Sequence, residues 1–182
     1  SLEKNDVLGR RMFNEALFGD TLYGYATQFE DYDQLNQEQL KDYFRKAYRP
    51  QNCTIVASGK VSSDTIKQLD FYFGNNWSDY AEVASANQFV FEKKPGKDYY
   101  LERPDALQSA IRLGQISVNR SHPDFVGIQV LSTILGGYFG SRLMANIRED
   151  KGYTYGIGAG LSAFKHTGCF VIASEVGVAV CE

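Results

Sequence analysis

Histidine and cysteine are both scarce in this sequence, and their placement excludes several kinds of metal and redox site. His122 and His166 are the only histidines. They lie too far apart for the zinc motif H-E-x-x-H or its inverted form H-x-x-E-H. The three cysteines, Cys53, Cys169 and Cys181, form no C-x-x-C pair, which excludes a zinc ribbon and a thioredoxin-like motif. We expect the cysteines to be buried, reduced thiols, and we expect this chain by itself to bind no metal.

An excess of positive charge and long apolar runs are also missing. Lys and Arg total 19 against 22 Asp and Glu, so the formal net charge is -3. This balance argues against a cationic surface for nucleic acid or anionic lipid. No apolar run reaches the roughly 20 residues that a membrane-spanning helix needs. We therefore expect no nucleic-acid partner and no membrane association.

The composition that remains is that of an ordinary globular protein. Hydrophobic residues make up 43% and charged residues 23% of the 182 residues, which is enough for one domain or two small ones. The first residue is Ser1 rather than Met, and the last three, Val180-Cys181-Glu182, continue an apolar pattern. We therefore expect a piece of a longer protein, for which the lack of a targeting segment is uninformative.

The spacing of apolar residues predicts separate groups of helices and strands. Helical spacing, with one N-cap at Asn36 and another at Ser62 or Ser63, predicts helices over 6–18, 36–49, 62–73, 123–135 and 141–150. Short apolar or alternating runs predict strands over 53–58, 99–102, 108–118, 154–163 and 168–175. The stretch 20–35 is typical of a loop. This order favours an α+β fold, a two-layer α/β sandwich of an antiparallel sheet with helices packed on one face.

The most specific signal lies between residues 131 and 160. There L-G-G-Y-F-G-S-R-L (135–143) is followed by I-R-E-D-K-G-Y-T-Y-G (147–156). Upstream of it stand A-L-F-G-D-T-L-Y-G (16–24), L-N-Q-E-Q-L-K-D-Y-F-R-K-A-Y-R-P-Q-N (35–52) and I-V-A-S-G-K-V (55–61). Together these segments resemble the non-catalytic, C-terminal-type segment of the pitrilysin/insulinase family of zinc metallopeptidases, which includes mitochondrial processing peptidase. The resemblance covers nearly the whole chain.

The resemblance implies parts of two domains. Residues 1–80 resemble the second half of a first peptidase-like domain, and residues 98–182 resemble the first half of the following, inactive one. The stretch 81–97, which contains K-K-P-G-K at 93–97, is typical of a linker. Half-domains leave apolar faces uncovered. We therefore expect the two halves to pack on each other as one composite domain, or to exchange between copies in a homodimer.

The resemblance also implies a substrate-binding site. Family members place an Arg and a Tyr, seven residues apart, on the substrate backbone, and Arg148 and Tyr155 match this spacing. A guanidinium and a phenol both donate hydrogen bonds, to a peptide carbonyl or to the oxyanion formed at it during hydrolysis. Gly136 and Gly137 correspond to the family's glycine-rich loop beside the peptide path. The residues alone leave open a helix-end arginine, a strand-packing tyrosine and a plain helix C-cap.

The function implied is that of a non-catalytic, substrate-binding portion of a zinc metalloendopeptidase that hydrolyses peptides. The family's zinc motif precedes the region that this chain resembles. Zinc would therefore belong to the remaining peptidase domain or to a zinc-bearing partner subunit, and the chain alone is expected to be inactive. The alternative is a catalytically inactive relative, like the core proteins of respiratory complexes, that acts as a peptide-binding or assembly subunit.

Overall fold

The computed structural model describes residues 4–50, 53–74, 77, 91 and 97–181. Within them lie the helices α1 (Asn5–Phe18), α2 (Phe29–Asp33), α3 (Gln37–Ala47), α4 (Ser63–Phe73) and α5 (Phe125–Gly136), a π-helix (Met144–Asp150) and a 3₁₀ turn (Val178–Val180). The strands are β1 (Gln108–Ser117), β2 (Thr154–Ala163) and β3 (Gly168–Gly177). The chain divides into two compact units, Ser1–Ala26 with Phe89–Glu182, and Thr27–Gln88.

The first unit is built on an antiparallel sheet with the strand order β1-β3-β2. Arg112 of β1 pairs with Ala173 of β3, which pairs in turn with Gly158 of β2. Residues paired in this way project to the same face of the sheet. That face is the one that the helices cover.

Both long helices of the first unit pack on this face. A Cβ atom added at Gly9 of α1 would lie 3.6 Å from the Cβ atom of Ala110 on β1. A Cβ atom at Gly158 would lie 3.6 Å from the carbonyl oxygen of Gly136, the last residue of α5. On the opposite face Leu113 is 65% exposed. The predicted α+β fold, with helices on one face of an antiparallel sheet, is therefore confirmed.

An ion pair and an aromatic cluster hold α1 in the first unit. The Asp6 carboxylate pairs with the guanidinium of Arg112, whose side chain is mostly buried. At the other end of α1, the ring of Phe18, 4% exposed, lies 5.8 Å from the ring of Tyr23 and 5.7 Å from that of Phe164. Phe18 is thus almost completely shielded from water, and it connects α1 to the turn between β2 and β3.

The second unit contains α2, α3 and α4, and its helix starts follow local capping rules. The Asn36 side chain accepts a hydrogen bond from the backbone N–H of Gln39 (2.9 Å), and the Gln39 side chain accepts one from the N–H of Asn36 (3.1 Å). The Ser62 hydroxyl accepts from the N–H of Thr65 (3.2 Å), and α4 is followed by Gly74. Each bond satisfies a backbone group that a helix end leaves unpaired. The helices predicted over 36–49 and 62–73 are confirmed, and of the two serines Ser62 is the N-cap.

Three local predictions were wrong. The predicted loop 20–35 contains α2, whose start is closed by a reciprocal pair of hydrogen bonds between Gln28 and Asp31. The segment 53–58, predicted to be a buried strand, is exposed along its length and has no ladder partner among the described residues. The same is true of the predicted strand 99–102. A strand needs a neighbouring strand to pair its backbone groups, and an apolar run alone does not provide one.

The division of the chain into 1–80, 81–97 and 98–182 stays a prediction. Apart from Phe91 and Lys97, the predicted linker lies outside the described residues.

Among the residues that the structure describes, no helix is both long enough and apolar enough to cross a bilayer.

Only one of the three cysteines is buried, contrary to the expectation for all three. Cys53 and Cys181 are exposed, and Cys169 is buried in β3. Burial raises the pKa of the Cys169 thiol, although a hydrogen bond with Ser162 opposes this shift. The raised pKa lowers the thiolate fraction at a given pH, and the thiolate is the reactive form.

We therefore predict that iodoacetamide at pH 8 modifies Cys53 and Cys181 and leaves Cys169 unmodified in the folded chain. Cys169 should react only after denaturation in guanidinium chloride. Mass spectrometry of the peptides, with and without denaturant, checks this. Equal labelling of all three thiols in the folded chain would contradict the burial of Cys169.

Candidate functional site

Arg148 lies on a helix whose backbone departs from the α-helical pattern. The N–H of Ala145 donates to the carbonyl of Ser141 (2.9 Å), four residues back, whereas the N–H of Lys151 donates to the carbonyl of Asn146 (3.2 Å), five residues back. Gly152 then ends the helix with φ 65°, a conformation that glycine adopts without strain. The predicted helix 141–150 is present in the right place, and its π-helical turn was not predicted.

The guanidinium of Arg148 lies between two aromatic rings. Its Cζ atom is 4.6 Å from the ring centroid of Phe139 and 5.0 Å from that of Tyr155. Both distances are within the range of cation–π attraction. Arg148 and Tyr155, predicted to belong to one site, thus lie beside each other, and their substrate-binding role stays a prediction. Phe139 is the residue that sequence reasoning missed, although it stands in the glycine-rich segment beside Gly136 and Gly137.

The hydrogen-bonding groups of this cluster are not used within the described part of the chain. No described residue forms a hydrogen bond or an ion pair with the Arg148 guanidinium or with the Tyr155 hydroxyl. Tyr155 is 88% exposed. The N–H groups of the cation and the O–H group of the phenol are therefore available to an acceptor.

Tyr155 projects from a bulge at the start of β2. Thr154 pairs with Val176, and Ile157 pairs with Ser174. Between these two pairs β2 therefore has one residue more than β3. The extra residue breaks the regular alternation and re-aims the side chain beside it. The bulge accounts for a large aromatic ring that stands in solvent at the edge of a packed sheet.

A hydroxyl network fixes this bulge. The Thr154 hydroxyl accepts hydrogen bonds from the N–H of Gly156 (3.1 Å) and from the Ser174 hydroxyl (3.0 Å). The same hydroxyl donates to the carbonyl oxygen of Glu175 (2.6 Å). These bonds satisfy backbone groups that the interrupted ladder leaves unpaired.

Removing this hydroxyl should loosen the bulge. We expect Thr154→Val, which keeps the shape of the side chain, to lower the free energy of unfolding by about 1–2 kcal/mol because it leaves polar groups without partners. Thr133→Val is the matched control: its exposed hydroxyl bonds only to the carbonyl of Gln129 within its own helix, and the change should stay within about 0.5 kcal/mol. Urea unfolding of both variants tests this. Equal stability of the Thr154 variant and the wild type would show that the network does not hold the bulge.

Gly136 and Gly137 lie where the end of α5 meets neighbouring atoms closely. A Cβ atom at Gly136 would lie 2.7 Å from the Cβ atom of Ala159 on β2, and one at Gly137 would lie 2.6 Å from the Cα atom of Thr133. Real Cβ atoms do not approach other atoms so closely. Close helix–strand packing is thus one reason for glycine at Gly136, whereas at Gly137 the close atom belongs to α5 itself. The predicted substrate-binding role of the two residues stays a prediction.

A family model described as the peptidase M16 inactive domain matches residues 34–178 of this sequence. The chain belongs to this family. The match includes the whole of the cluster formed by Phe139, Arg148 and Tyr155. The predicted resemblance to a non-catalytic segment of a zinc metallopeptidase family is confirmed.

Named relatives of this M16 chain agree with the assignment. It is 28% identical to an uncharacterized zinc protease of Mycobacterium leprae over 173 residues, covering 93% of this chain and 39% of the relative. It is 24% identical to a probable inactive metalloprotease of Bacillus subtilis, covering 83% of this chain and 35% of the relative. A crystal structure of a peptidase M16 inactive domain from Pseudomonas fluorescens superposes with a TM-score of 0.85 at 25% identity, covering 96% of this chain and 42% of that one. The chain spans about two fifths of the length of these relatives.

The described residues of this M16 chain do not fit a zinc ion. No group of three or more His, Cys, Asp or Glu side chains among them could hold a metal. His122 lies in the loop after β1, where its Nδ1 accepts a hydrogen bond from the N–H of Asp124 (3.2 Å). His166 lies in the turn between β2 and β3, at the same end of the sheet. Zinc chemistry is therefore not assigned to the described residues.

Proposed function

We propose that this M16 chain is a non-catalytic, substrate-binding portion of a zinc metalloendopeptidase that hydrolyses peptides. One observation carries the proposal: the Arg148 guanidinium is held between the rings of Phe139 and Tyr155. Its N–H groups and the exposed phenol of Tyr155 are without partners among the described residues.

The chemistry of this cluster suits the backbone of an extended peptide. A peptide presents carbonyl oxygens, which are acceptors, at regular intervals on each side of the chain. Arg148 and Tyr155 together offer a charged donor and a neutral donor at one place, and charge-assisted bonds are the stronger kind. Because both donors would hydrogen-bond to the peptide backbone and not to its side chains, the site would bind peptides of varied sequence.

We do not assign the hydrolysis step to this chain. The zinc ion and the attacking water would belong to the remaining peptidase domain of a longer protein or to a zinc-bearing partner subunit. The similarity to an uncharacterized zinc protease of Mycobacterium leprae, of which this chain covers 39%, supports this division. The role of this chain is to bind and orient the peptide, and we expect no turnover from the chain alone.

Peptide binding by the 182-residue chain tests the proposal. We expect a fluorescently labelled, unstructured peptide to bind with an affinity that falls about tenfold or more in Arg148→Ala, because a charge-assisted hydrogen bond is lost. Lys151→Ala is the matched control, since Lys151 stands over the ring of Tyr153 in the same way (5.8 Å). Unchanged affinity in Arg148→Ala, or the same loss in the Lys151 variant, would reject the site.

A second candidate is an inactive relative that acts as an assembly subunit. The similarity to a probable inactive metalloprotease of Bacillus subtilis favours it, whereas the lack of a metal-binding group among the described residues fits both candidates equally well. Such a subunit would bind other copies or partner chains without supporting hydrolysis. Sedimentation of the chain alone, which also tests for a homodimer, and peptide hydrolysis assays of the longer protein that contains it distinguish the two candidates.

A further inference from the structure

We propose that Phe139 is a positioning residue that orients the Arg148 guanidinium for peptide binding, an inference that rests on the function proposed above. Phe139 has no polar side-chain atom, so it cannot hydrogen-bond a peptide itself. Its ring lies 4.6 Å from the guanidinium carbon, closer than the ring of Tyr155 at 5.0 Å. The ring acts on the arginine, and the arginine acts on the ligand.

Phe139 replaces the carboxylate that commonly orients an arginine. Among the described residues, no Asp or Glu lies within ion-pair distance of Arg148, although Glu149 and Asp150 follow it in the chain. A carboxylate would occupy two of the N–H groups and reduce the net charge of the site. An aromatic face attracts the cation and leaves the N–H groups and the charge available to a ligand.

The loop that carries Phe139 has fixed ends. Before it, Gly136 packs against β2 so closely that a Cβ atom would not fit. After it, Ser141 is completely buried, and its N–H donates to the carbonyl of Tyr138 (3.0 Å). Phe139 itself is 62% exposed. A ring held at both sides by buried residues can serve as a rigid surface for a long and otherwise flexible side chain.

The effect on the arginine is measured without any ligand. In ¹⁵N-labelled chain, the Arg148 Nε–H resonance, assigned by its loss in Arg148→Lys, should lie upfield of the exposed arginines because two ring faces shield it. Phe139→Leu should move the signal toward the exposed arginines, and Phe139→Tyr should restore it. Tyr138→Leu, which removes the neighbouring exposed ring, should leave it in place. No movement in Phe139→Leu would overturn the stacking.

The effect on function is measured with the same labelled, unstructured peptide. We expect Phe139→Leu to weaken peptide binding about three- to tenfold, with recovery in Phe139→Tyr. In an Arg148→Ala background, Phe139→Leu should have no further effect, because the ring acts only through the arginine. The positioning role would be overturned if the losses of affinity from the two substitutions added fully in the double variant. It would also be overturned if Phe139→Leu bound the peptide with unchanged affinity while Arg148→Ala bound it weakly. If Arg148→Ala binds normally while the resonance shifts as expected, the proposed function fails and the positioning role falls with it.

Discussion

Replacing Tyr155 by phenylalanine should lower kcat on the order of tens- to a thousandfold in the zinc-loaded endopeptidase to which we assign this chain. The substitution removes one hydrogen-bond donor and keeps the ring, so the contact with Arg148 survives. A donor whose bond forms mainly to the developing oxyanion affects kcat more than KM. Stopped assays with a peptide substrate over a range of concentrations separate the two constants.

Arg148→Ala should act differently in the same assay. A charged donor also holds the ground-state carbonyl, so its loss should raise KM as well as lower kcat. Tyr153→Phe is the control, because this tyrosine lies two residues from Tyr155 but its ring contacts Lys151 rather than Arg148. Wild-type kinetics in the Tyr155 and Arg148 variants, with zinc bound and the fold intact, would be incompatible with the assigned roles.

Gly136→Ala should destabilise the protein by about 3 kcal/mol, the upper part of the range for overpacking a close contact. The added Cβ atom would meet the backbone nitrogen of Ala159 and would lie 2.7 Å from its Cβ atom. Because Ala159 belongs to a hydrogen-bonded strand, the helix would have to move away from the sheet. The free energy of unfolding from urea titration measures this cost.

Gly127→Ala provides a control in the same helix with the opposite expected sign. Nothing lies within 4 Å of a Cβ atom added there, and alanine stabilises a helix interior by about 0.5–1 kcal/mol relative to glycine. Both variants add one methyl group to α5, and only at Gly136 does the new group meet neighbouring atoms within 4 Å. Equal effects of the two substitutions would contradict the close approach of α5 to β2.

The features that could be predicted from the sequence are those determined by neighbouring residues. The helix starts at Asn36 and Ser62 depend on hydrogen bonds that span three residues, and β1 follows alternation within one strand. The pairing of Arg148 with Tyr155 came from the resemblance, and the short connection through Gly152 makes it geometrically simple. Local rules and a short turn suffice for all of these.

The features that could not be predicted depend on atoms far away in the chain or on small departures from regular geometry. Segment 53–58 has the composition of a strand, but a strand exists only where a partner accepts its backbone bonds. The bulge at Tyr155 depends on hydroxyl groups of Thr154 and Ser174, which lie on different strands. The contact of Phe139 with Arg148 needs the loop and the helix to turn toward each other, and no spacing rule contains that information.

The π-helical turn before Gly152 makes the number of residues in this segment as important as their identity. A π turn holds one residue more than the α turn it replaces. Deleting one residue between 144 and 147 would let the helix relax to the α form, in which the residues after the turn keep their direction. Inserting a further residue there would instead rotate Arg148 by about 100° around the helix axis, away from the rings of Phe139 and Tyr155. The segment between the glycine-rich loop and β2 can therefore lose one residue more easily than it can gain one.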